Sequence, residues 1–261
     1  MKVTFIGTGD AGGTPLYGCD CVACERARSN PELRRSTSCV LVESGETQVM
    51  IDAGVNDFCE RFPAGSLDAV LLTHYHLDHV FGLFRARWGT GHKLKVFGPP
   101  DSQGCDDLYK HPGILDIKAL DGSRIEIGSL AIQPVVLAHS KPTLGYLLSS
   151  GESRFAYLTD TCGLPPATLE SLRAFKPQAA AIDCTHPPRV PEPGALRGNH
   201  NDVTLALECL DGFKPGRAFL THLSHHFERW HMENPAALPA NVTAARDGME
   251  YKVANRPLEA P

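Results

Sequence analysis

Four side chains that commonly bind metal ions lie within six consecutive residues of this chain. The segment at 73–79 reads THYHLDH, and the four candidates in it are His74, His76, Asp78 and His79. Neutral imidazole and carboxylate are good ligands for Zn²⁺, Mn²⁺ and iron. The apolar run at 69–72 directly precedes the segment and predicts a strand, which would hold the ligands on a rigid support. We therefore predict a metal centre here rather than a polar loop with chance histidines.

Three further candidate ligands follow later apolar runs. His139 comes after the run at 130–137, Asp160 after 155–159 and His222 after 218–221. A single histidine at a strand end is more often a structural hydrogen-bonding group than a ligand. An apolar run followed by a potential ligand occurs at each of these positions as well as at THYHLDH. We therefore predict that these side chains converge with those of THYHLDH at one rim of the sheets.

A second cluster consists of thiols. Cys19, Cys21 and Cys24 form a C-x-C-x₂-C pattern among nine cysteines in the chain. In a reduced compartment, such spacing favours a metal site over disulfides, although incidental thiols remain an alternative. A tetrahedral zinc site would need a fourth ligand.

The remaining sequence predicts the elements that must position these groups. Short apolar, β-branched runs bounded by Gly, Pro, Asp or Ser predict strands at 3–6, 39–42, 48–51, 69–72, 94–97, 130–136, 145–148, 155–158, 179–182 and 218–220. Helices are predicted at 80–88, 165–175 and 203–210, and 187–198 is predicted to be a loop. Many strands with interspersed helices indicate an α/β fold in which two packed sheets carry helices outside. We expect one domain over 1–261.

Composition excludes some classes of protein. The net charge of −5 leaves no basic footprint for tight nucleic-acid binding. The first apolar run is too short for a signal peptide, and no segment approaches the ~20 apolar residues of a membrane span. We expect a cytoplasmic protein without a membrane or stable nucleic-acid partner.

The order HYHLDH, His139, Asp160 and His222 resembles that of the metallo-β-lactamase superfamily. The resemblance implies a four-layer αββα sandwich and two active-site metal ions. It assigns His74, His76 and His139 to one ion, Asp78, His79 and His222 to the other, and Asp160 to both. It also implies that Asp52, in the IDAG segment, orients a ligand histidine. The metals would be Mn or Zn, with Ni and Fe as further options.

Other segments resemble the PhnP branch of that superfamily. They include GTGDAGGTPLYGCDCVAC at 7–24, GNHND at 198–202 and LTHLSHHF at 220–227. The resemblance runs from about residue 5 to 253. It implies a phosphodiesterase of phosphonate breakdown that acts on phosphoribosyl 1,2-cyclic phosphate. It also implies that His225 is the fourth ligand of a structural zinc at the 19–24 loop, and that His200 is the catalytic histidine, suited to general acid catalysis.

The expected partner is a small phosphorylated sugar or a cyclic nucleotide. Lys141, His186 and Arg189 are candidates for contacts with it, and the two cations could instead be solvated surface charges. A homodimer is suggested by the resemblance alone. The rival functions are a tRNA 3′-end endonuclease, a non-catalytic carrier similar to pyrroloquinoline-quinone biosynthesis protein B, and a thiol-ester or lactone hydrolase.

Overall fold

Two seven-stranded sheets form the centre of the molecule in the computed structural model, which describes residues 1–102, 104–189 and 198–253. The first sheet has the order β14-β1-β2-β3-β4-β5-β6, with strands β1 (Lys2–Gly7), β2 (Cys39–Ser44), β3 (Thr47–Ile51), β4 (Ala69–Leu71), β5 (Leu94–Gly98), β6 (Leu115–Ala119) and β14 (Glu250–Lys252). The second has the order β13-β12-β11-β10-β9-β8-β7, with strands β7 (Ile125–Ile127), β8 (Leu130–Val136), β9 (Leu144–Ser150), β10 (Ser153–Leu158), β11 (Ala179–Asp183), β12 (Arg217–Thr221) and β13 (Val242–Ala244).

Helices cover the outer face of each sheet. The α-helices are α1 (Val22–Ser29), α2 (Phe58–Arg61), α3 (Leu77–Ala86), α4 (Asp106–Lys110), α5 (Pro166–Phe175), α6 (Val203–Phe213) and α7 (His225–Glu233). No helix in the described part of the chain has the length and apolarity needed to cross a membrane.

The buried apolar residues form three hydrophobic cores, and neighbouring residues of one strand point into different cores. In β1, Val3 and Phe5 point to the core between the sheets, while Ile6 belongs to the core under α2, α3 and α4. The second sheet does the same: Tyr157 faces the first sheet, and Leu158 packs in the core that α5 and α6 cover. Successive strand residues point to opposite faces, so each sheet has two buried sides. The predicted αββα layering is confirmed.

The predicted strands are all present, with ends shifted by one or two residues. Four short strands, β6, β7, β13 and β14, and the helices α1, α2, α4 and α7 were not predicted from the sequence. Helix α3 was predicted to begin at residue 80, whereas it begins at Leu77 and includes Asp78 and His79 in its first turn. The ligand residues obscured the helical pattern because they are not apolar. Of the predicted loop at 187–198, residues 190–197 lie outside the described residues.

The turn after β3 packs very closely against the start of α3. A Cβ at Gly54 would lie 1.5 Å from the Asp78 carbonyl oxygen and 2.7 Å from Thr37 Oγ1. Two further contacts join this turn to the helix: the Ala53 amide donates to the His79 carbonyl oxygen, and the Gly82 amide donates to the Ala53 carbonyl oxygen. The absence of a side chain at Gly54 therefore sets the position of α3.

Gly54→Ala should displace α3 and lower both stability and metal content. Forcing a methyl group into a packed backbone contact costs about 1–3 kcal/mol or more. The measurements are thermal unfolding and metal analysis of the purified protein. Gly45→Ala is the control, because Gly45 is in the β2–β3 hairpin with φ +58° and open space around it. That variant should lose some stability from backbone strain and keep its metals. Equal metal loss in both variants would contradict the packing argument.

Candidate metal centre

The candidate ligands all follow strand ends on one side of the two sheets. His74 and His76 come shortly after β4, and Asp78 and His79 occupy the first turn of α3. In the second sheet β10, β11 and β12 are parallel, so their carboxyl ends meet at one edge. Asp160 and His222 follow two of these ends, and His139 follows β8.

One group of ligand atoms brings together His74, His76, His139 and Asp160. His76 Nδ1 lies 2.7 Å from His74 Nε2 and 3.1 Å from His139 Nε2. Asp160 Oδ2 is 3.8 Å from Nε2 of both His74 and His139. These four groups can surround one cation.

A second group consists of Asp78, His79 and His222, again beside Asp160. Asp78 Oδ2 is 3.2 Å from His79 Nε2 and 3.6 Å from His222 Nε2. Asp160 Oδ2 is 3.4 Å from each of the same two nitrogens. Asp160 is thus a member of the first group and lies next to the second, which is a suitable position for a bridging carboxylate.

Several buried polar atoms at this place have no hydrogen-bond partner among the described residues. They are His79 Nε2, His222 Nε2 and Asp160 Oδ1. Leaving a buried polar group unsatisfied costs a few kcal/mol, so native structures seldom do so without an ion, water or ligand. A divalent cation in each group would satisfy these atoms, and the imidazole and carboxylate donors suit such an ion. The residues present therefore fit two metals.

Hydrogen bonds from behind orient the ligand rings. Asp52 Oδ2 lies 2.8 Å from His79 Nδ1, which is the contact expected of Asp52, and Thr185 Oγ1 lies 2.8 Å from His222 Nδ1. His139 Nδ1 is 3.1 Å from the Asn199 carbonyl oxygen. Each of these contacts engages Nδ1 of its ring, so Nε2 of the same ring points toward the other candidate ligand atoms.

Charges within the cluster shift its protonation strongly. Burial opposes the charged form of His222, but the nearby Asp160, Asp78 and Asp183 carboxylates outweigh it and raise the pKa of His222 to about 9. Burial likewise opposes charge on His79, yet Asp160 and Asp52 raise its pKa well above the usual value. Burial also disfavours the Asp160 carboxylate, but His222 and His79 hold its pKa well below the usual range. In the protein without metal, protons on His79 and His222 therefore supply the positive charge.

His200 lies at the same rim and pairs with a residue that the sequence analysis did not select. Its Nδ1 donates to Asp183 Oδ2 at 2.7 Å, and its ring stacks on that of His222 with centroids 4.7 Å apart. Asp183 is fully buried and also accepts from the amides of Asn201 and Thr185. Asp183 ends β11, so the strand-end rule applied to Asp160 and His222 would have found it.

The thiol cluster gathers Cys19, Cys21, Cys24 and His225, all within 4.8 Å of one another. His225 Nδ1 is 3.5 Å from Cys19 Sγ and 3.4 Å from Cys21 Sγ. Burial raises the pKa of the Cys24 thiol to about 12. Cys21 is also partly desolvated, but its contact with His225 lowers the pKa of its thiol to about 6. Cys24 lies on α1 rather than in a loop, and three thiols with one imidazole suit tetrahedral zinc.

The three candidate substrate contacts occupy different places. Lys141 Nζ lies 3.5 Å from Asp101 Oδ2, so an anion would compete with that carboxylate for it. His186 has its ring centroid 6.4 Å from that of His200. Arg189 is exposed on the segment that follows β11.

Metal loading of the centre should release protons. At pH 7 we expect about two per chain, because a metal displaces the protons held by His79 and His222. As the pH rises through about 9, His222 loses its proton without metal, and the release on loading should fall. The measurement is titration of Zn²⁺ or Mn²⁺ into weakly buffered protein from which active-site metals have been removed. His222→Ala is the control and should release about one proton fewer. A release that stays constant from pH 6 to 10 would contradict the assignment.

Loss of a thiol-cluster ligand should release one zinc without emptying the active centre. For His225→Ala or Cys21→Ser we expect a melting temperature lower by about 10 °C, because a structural site contributes folding free energy. Metal analysis and thermal unfolding provide the readouts. Cys59→Ser is the matched control, since Cys59 lies outside the cluster. If His225→Ala kept the wild-type zinc count, His225 would not be a ligand.

Comparison with known proteins places this geometry in a family. A model of the beta-lactamase superfamily domain matches residues 47–223, a range that includes every proposed active-centre ligand. A diphosphatase of the PhnP family, known from its crystal structure, is 26% identical, with a TM-score of 0.79 and 96% of each chain covered.

Two curated relatives add to this. The octanoyltransferase of Porphyromonas gingivalis is 27% identical over 268 residues, which cover 96% of this chain and 51% of that protein. The ribonuclease Z of Methanopyrus kandleri is 33% identical over 159 residues, which cover 58% of this chain and 50% of that protein. The chain thus spans about half the length of these curated relatives. From the domain match and the structural match along nearly its whole length, the chain belongs to the metallo-β-lactamase superfamily and is a PhnP-like protein within it.

Proposed function

We propose that this protein is a two-metal phosphodiesterase that hydrolyses cyclic phosphodiesters. The proposed preferred substrate is phosphoribosyl 1,2-cyclic phosphate, giving ribose 1,5-bisphosphate in carbon–phosphorus lyase phosphonate degradation, and 2′,3′-cyclic nucleotides are further candidates. The observation that carries the proposal is the His200–Asp183 pair, which stacks against the second ligand group. This pair adds a proton donor to the two candidate metal sites.

The ligand residues would hold the metals as the two groups suggest. His74, His76 and His139 would hold one ion, Asp78, His79 and His222 would hold the other, and Asp160 would contribute to both. When bound, two divalent ions lower the pKa of water and neutralise charge on phosphoryl oxygens. The chain's own contribution is a rigid ligand set whose rings are oriented from behind and whose carboxylates are already ionised.

His200 would supply the proton that a sugar leaving group needs. Its Nδ1–H is committed to Asp183, so Nε2 is the nitrogen available to hold and release a proton. Asp183 fixes the orientation and the tautomer of the ring, much as a buried carboxylate does for a catalytic histidine elsewhere. An alkoxide leaves poorly without a proton, which makes this pair suited to phosphodiesters of sugars.

A diphosphate is the second candidate substrate class, favoured by the structural match to a diphosphatase of the PhnP family. In that reaction the leaving group is a phosphate, which depends less on a proton from His200. Among the rivals, the net charge of −5 disfavours a tRNA nuclease. The complete ligand set, with its unsatisfied buried atoms, disfavours a non-catalytic carrier.

The test is a substrate panel run with Mn²⁺ on the wild type and on His200→Ala. The panel contains bis-p-nitrophenyl phosphate, a 2′,3′-cyclic nucleotide, phosphoribosyl 1,2-cyclic phosphate, a diphosphate, a β-lactam and a thioester. His200→Ala should slow the sugar cyclic phosphates by about 10²–10⁴ and the nitrophenyl ester much less, because nitrophenolate leaves without a proton. Asp183→Asn should reproduce part of that difference.

Metal content is the control in the same preparations, and it should be unchanged in His200→Ala. Equal losses on sugar and nitrophenyl substrates would remove His200 as the acid and make His186 the next residue to test. Faster turnover of the diphosphate than of any cyclic diester would establish the second candidate. Turnover of only the β-lactam or thioester would refute both.

A further inference from the structure

Thr73, which lies two residues after β4, is hydrogen-bonded to both sheets. Its amide donates to Asp52 Oδ1 at 2.8 Å, in the turn after β3 of the first sheet. Its carbonyl oxygen accepts at 2.9 Å from the amide of Leu144, the first residue of β9 in the second sheet. The residue is completely buried. Both sheets therefore hold the backbone of Thr73 in place beside the candidate ligands.

The Thr73 hydroxyl contacts polar side chains behind the metal centre. Thr73 Oγ1 lies 3.0 Å from Asp52 Oδ1, 2.9 Å from Asp52 Oδ2 and 3.0 Å from His74 Nδ1. His79 Nδ1 is 3.4 Å from the same hydroxyl and has a shorter contact, of 2.8 Å, with Asp52 Oδ2. Asp52, His74 and His79 are all completely buried. The hydroxyl thus links the Asp52 carboxylate to His74, while His79 contacts that carboxylate directly.

The hydrogens on these groups determine the direction of the bonds. An ionised carboxylate only accepts hydrogen bonds, so the single hydroxyl hydrogen of Thr73 is donated to Asp52. The Thr73 oxygen can then only accept, and its donor is Nδ1–H of His74. With its hydrogen on Nδ1, His74 has a lone pair on Nε2, the nitrogen that lies 3.8 Å from Asp160 Oδ2 in the first ligand group. Thr73 therefore selects the tautomer of His74 that can bind a metal ion.

The two ligand groups share the Asp52 carboxylate through these contacts. His79 of the second group contacts it directly, and His74 of the first group is connected to it by the Thr73 hydroxyl. Hydrogen bonds to an ionised carboxylate are stronger than those between neutral groups, and in a buried chain each bond polarises the next. The carboxylate therefore strengthens the bond between Thr73 and His74 as well as its own bond to His79. Removal of the carboxylate should loosen both rings, whereas removal of the hydroxyl should loosen only His74.

We propose that Thr73 is a positioning residue that holds His74 in its metal-binding tautomer and makes Asp52 the common support of both metal sites. The proposal concerns the ligand set and does not depend on which substrate the protein hydrolyses. Without the hydroxyl, Nδ1 of the buried His74 loses this acceptor, so the ring can carry its hydrogen on Nε2 instead and no longer offers a lone pair there. The contact between Asp52 and His79 does not involve the hydroxyl. The first ligand group should therefore lose affinity for a cation while the second keeps its own.

The test measures metal affinity and the occupancy of each ligand group in Thr73→Val, in which a methyl group of similar size replaces the hydroxyl. Zn²⁺ is titrated by calorimetry into protein from which active-site metals have been removed. Anomalous diffraction from crystals at limiting Zn²⁺ gives the occupancy of each group separately. Changes in residues that orient metal ligands typically weaken metal binding about 10–100-fold, and we expect a loss of that size at the His74 group alone.

Two further variants and a control accompany Thr73→Val. Thr73→Ser keeps a hydroxyl and should bind Zn²⁺ nearly as well as the wild type, whereas Asp52→Asn should weaken both groups. Thr159→Val is the matched control and should keep both affinities. Thr159 is as completely buried as Thr73 and directly precedes Asp160, but its hydroxyl has no hydrogen-bond partner among the described residues.

Unchanged Zn²⁺ affinity in Thr73→Val, or equal losses at both groups in that variant, would overturn the proposal. So would Thr73→Ser binding as weakly as Thr73→Val, or a loss confined to the His79 group in Asp52→Asn. A measurement on the wild type decides the case in which Thr73→Val does not fold. With Zn²⁺ bound, NMR should show the Nδ1 proton of His74 protected from exchange with water and close to the Thr73 side chain. Rapid exchange of that proton would overturn the proposal without any variant.

Discussion

The Asp160 carboxylate lies at the centre of five imidazole rings, and the surrounding structure serves to keep it there. Its Oδ2 is 3.4–3.9 Å from ring nitrogens of His74, His79, His139, His200 and His222. The group is almost completely buried, and its other oxygen has no hydrogen-bond partner among the described residues. Within the described part of the chain, Nε2 of His79 and Nε2 of His222 also have no hydrogen-bond partner. Bound cations would satisfy these atoms. Without metals, protons on the histidines supply the positive charge instead.

The sheets provide the rigidity that this arrangement requires. Parallel strands β10, β11 and β12 end at the same edge, which places Asp160, Asp183 and His222 side by side. The first sheet contributes to the same site through the turn after β3. In that turn Asp52 orients His79, and the absence of a side chain at Gly54 lets the turn pack against α3. Asp52 and His222 both have positive φ, at +61° and +59°. Such strain costs of order 1–3 kcal/mol and persists at sites where the surrounding packing dictates the backbone.

The metal centre and the thiol cluster share one short stretch of chain. His222 directly follows β12, and His225 begins α7 three residues later. Between them, the Leu223 amide donates to the Thr8 carbonyl oxygen and the Leu223 carbonyl oxygen accepts from the Asp10 amide. These bonds tie the stretch to the loop that leads to the cysteines. A metal in the thiol cluster would therefore stabilise both the backbone at His222 and the start of α7, which couples fold stability to the geometry of the site.

Residue patterns were sufficient to predict the layers of the fold and the types of ligand residue. Alternating apolar runs predicted the strands because each sheet buries both faces, and ligands at successive strand ends predicted one rim because parallel strands end together. Short edge strands such as β13 and β14 escaped prediction, since three residues carry too little pattern to stand out. Asp183 carried the same strand-end signal as Asp160, but the family resemblance assigned a role only to Asp160.

Which side chains face one another could not be predicted from residue patterns and depends on the tertiary fold. The contact of Asp183 with His200 and that of Lys141 with Asp101 both join segments that are distant in the sequence. Local residue patterns encode burial and periodicity, but they do not encode distances across two packed sheets. The pairing of these charged groups therefore follows from the packing of the two sheets.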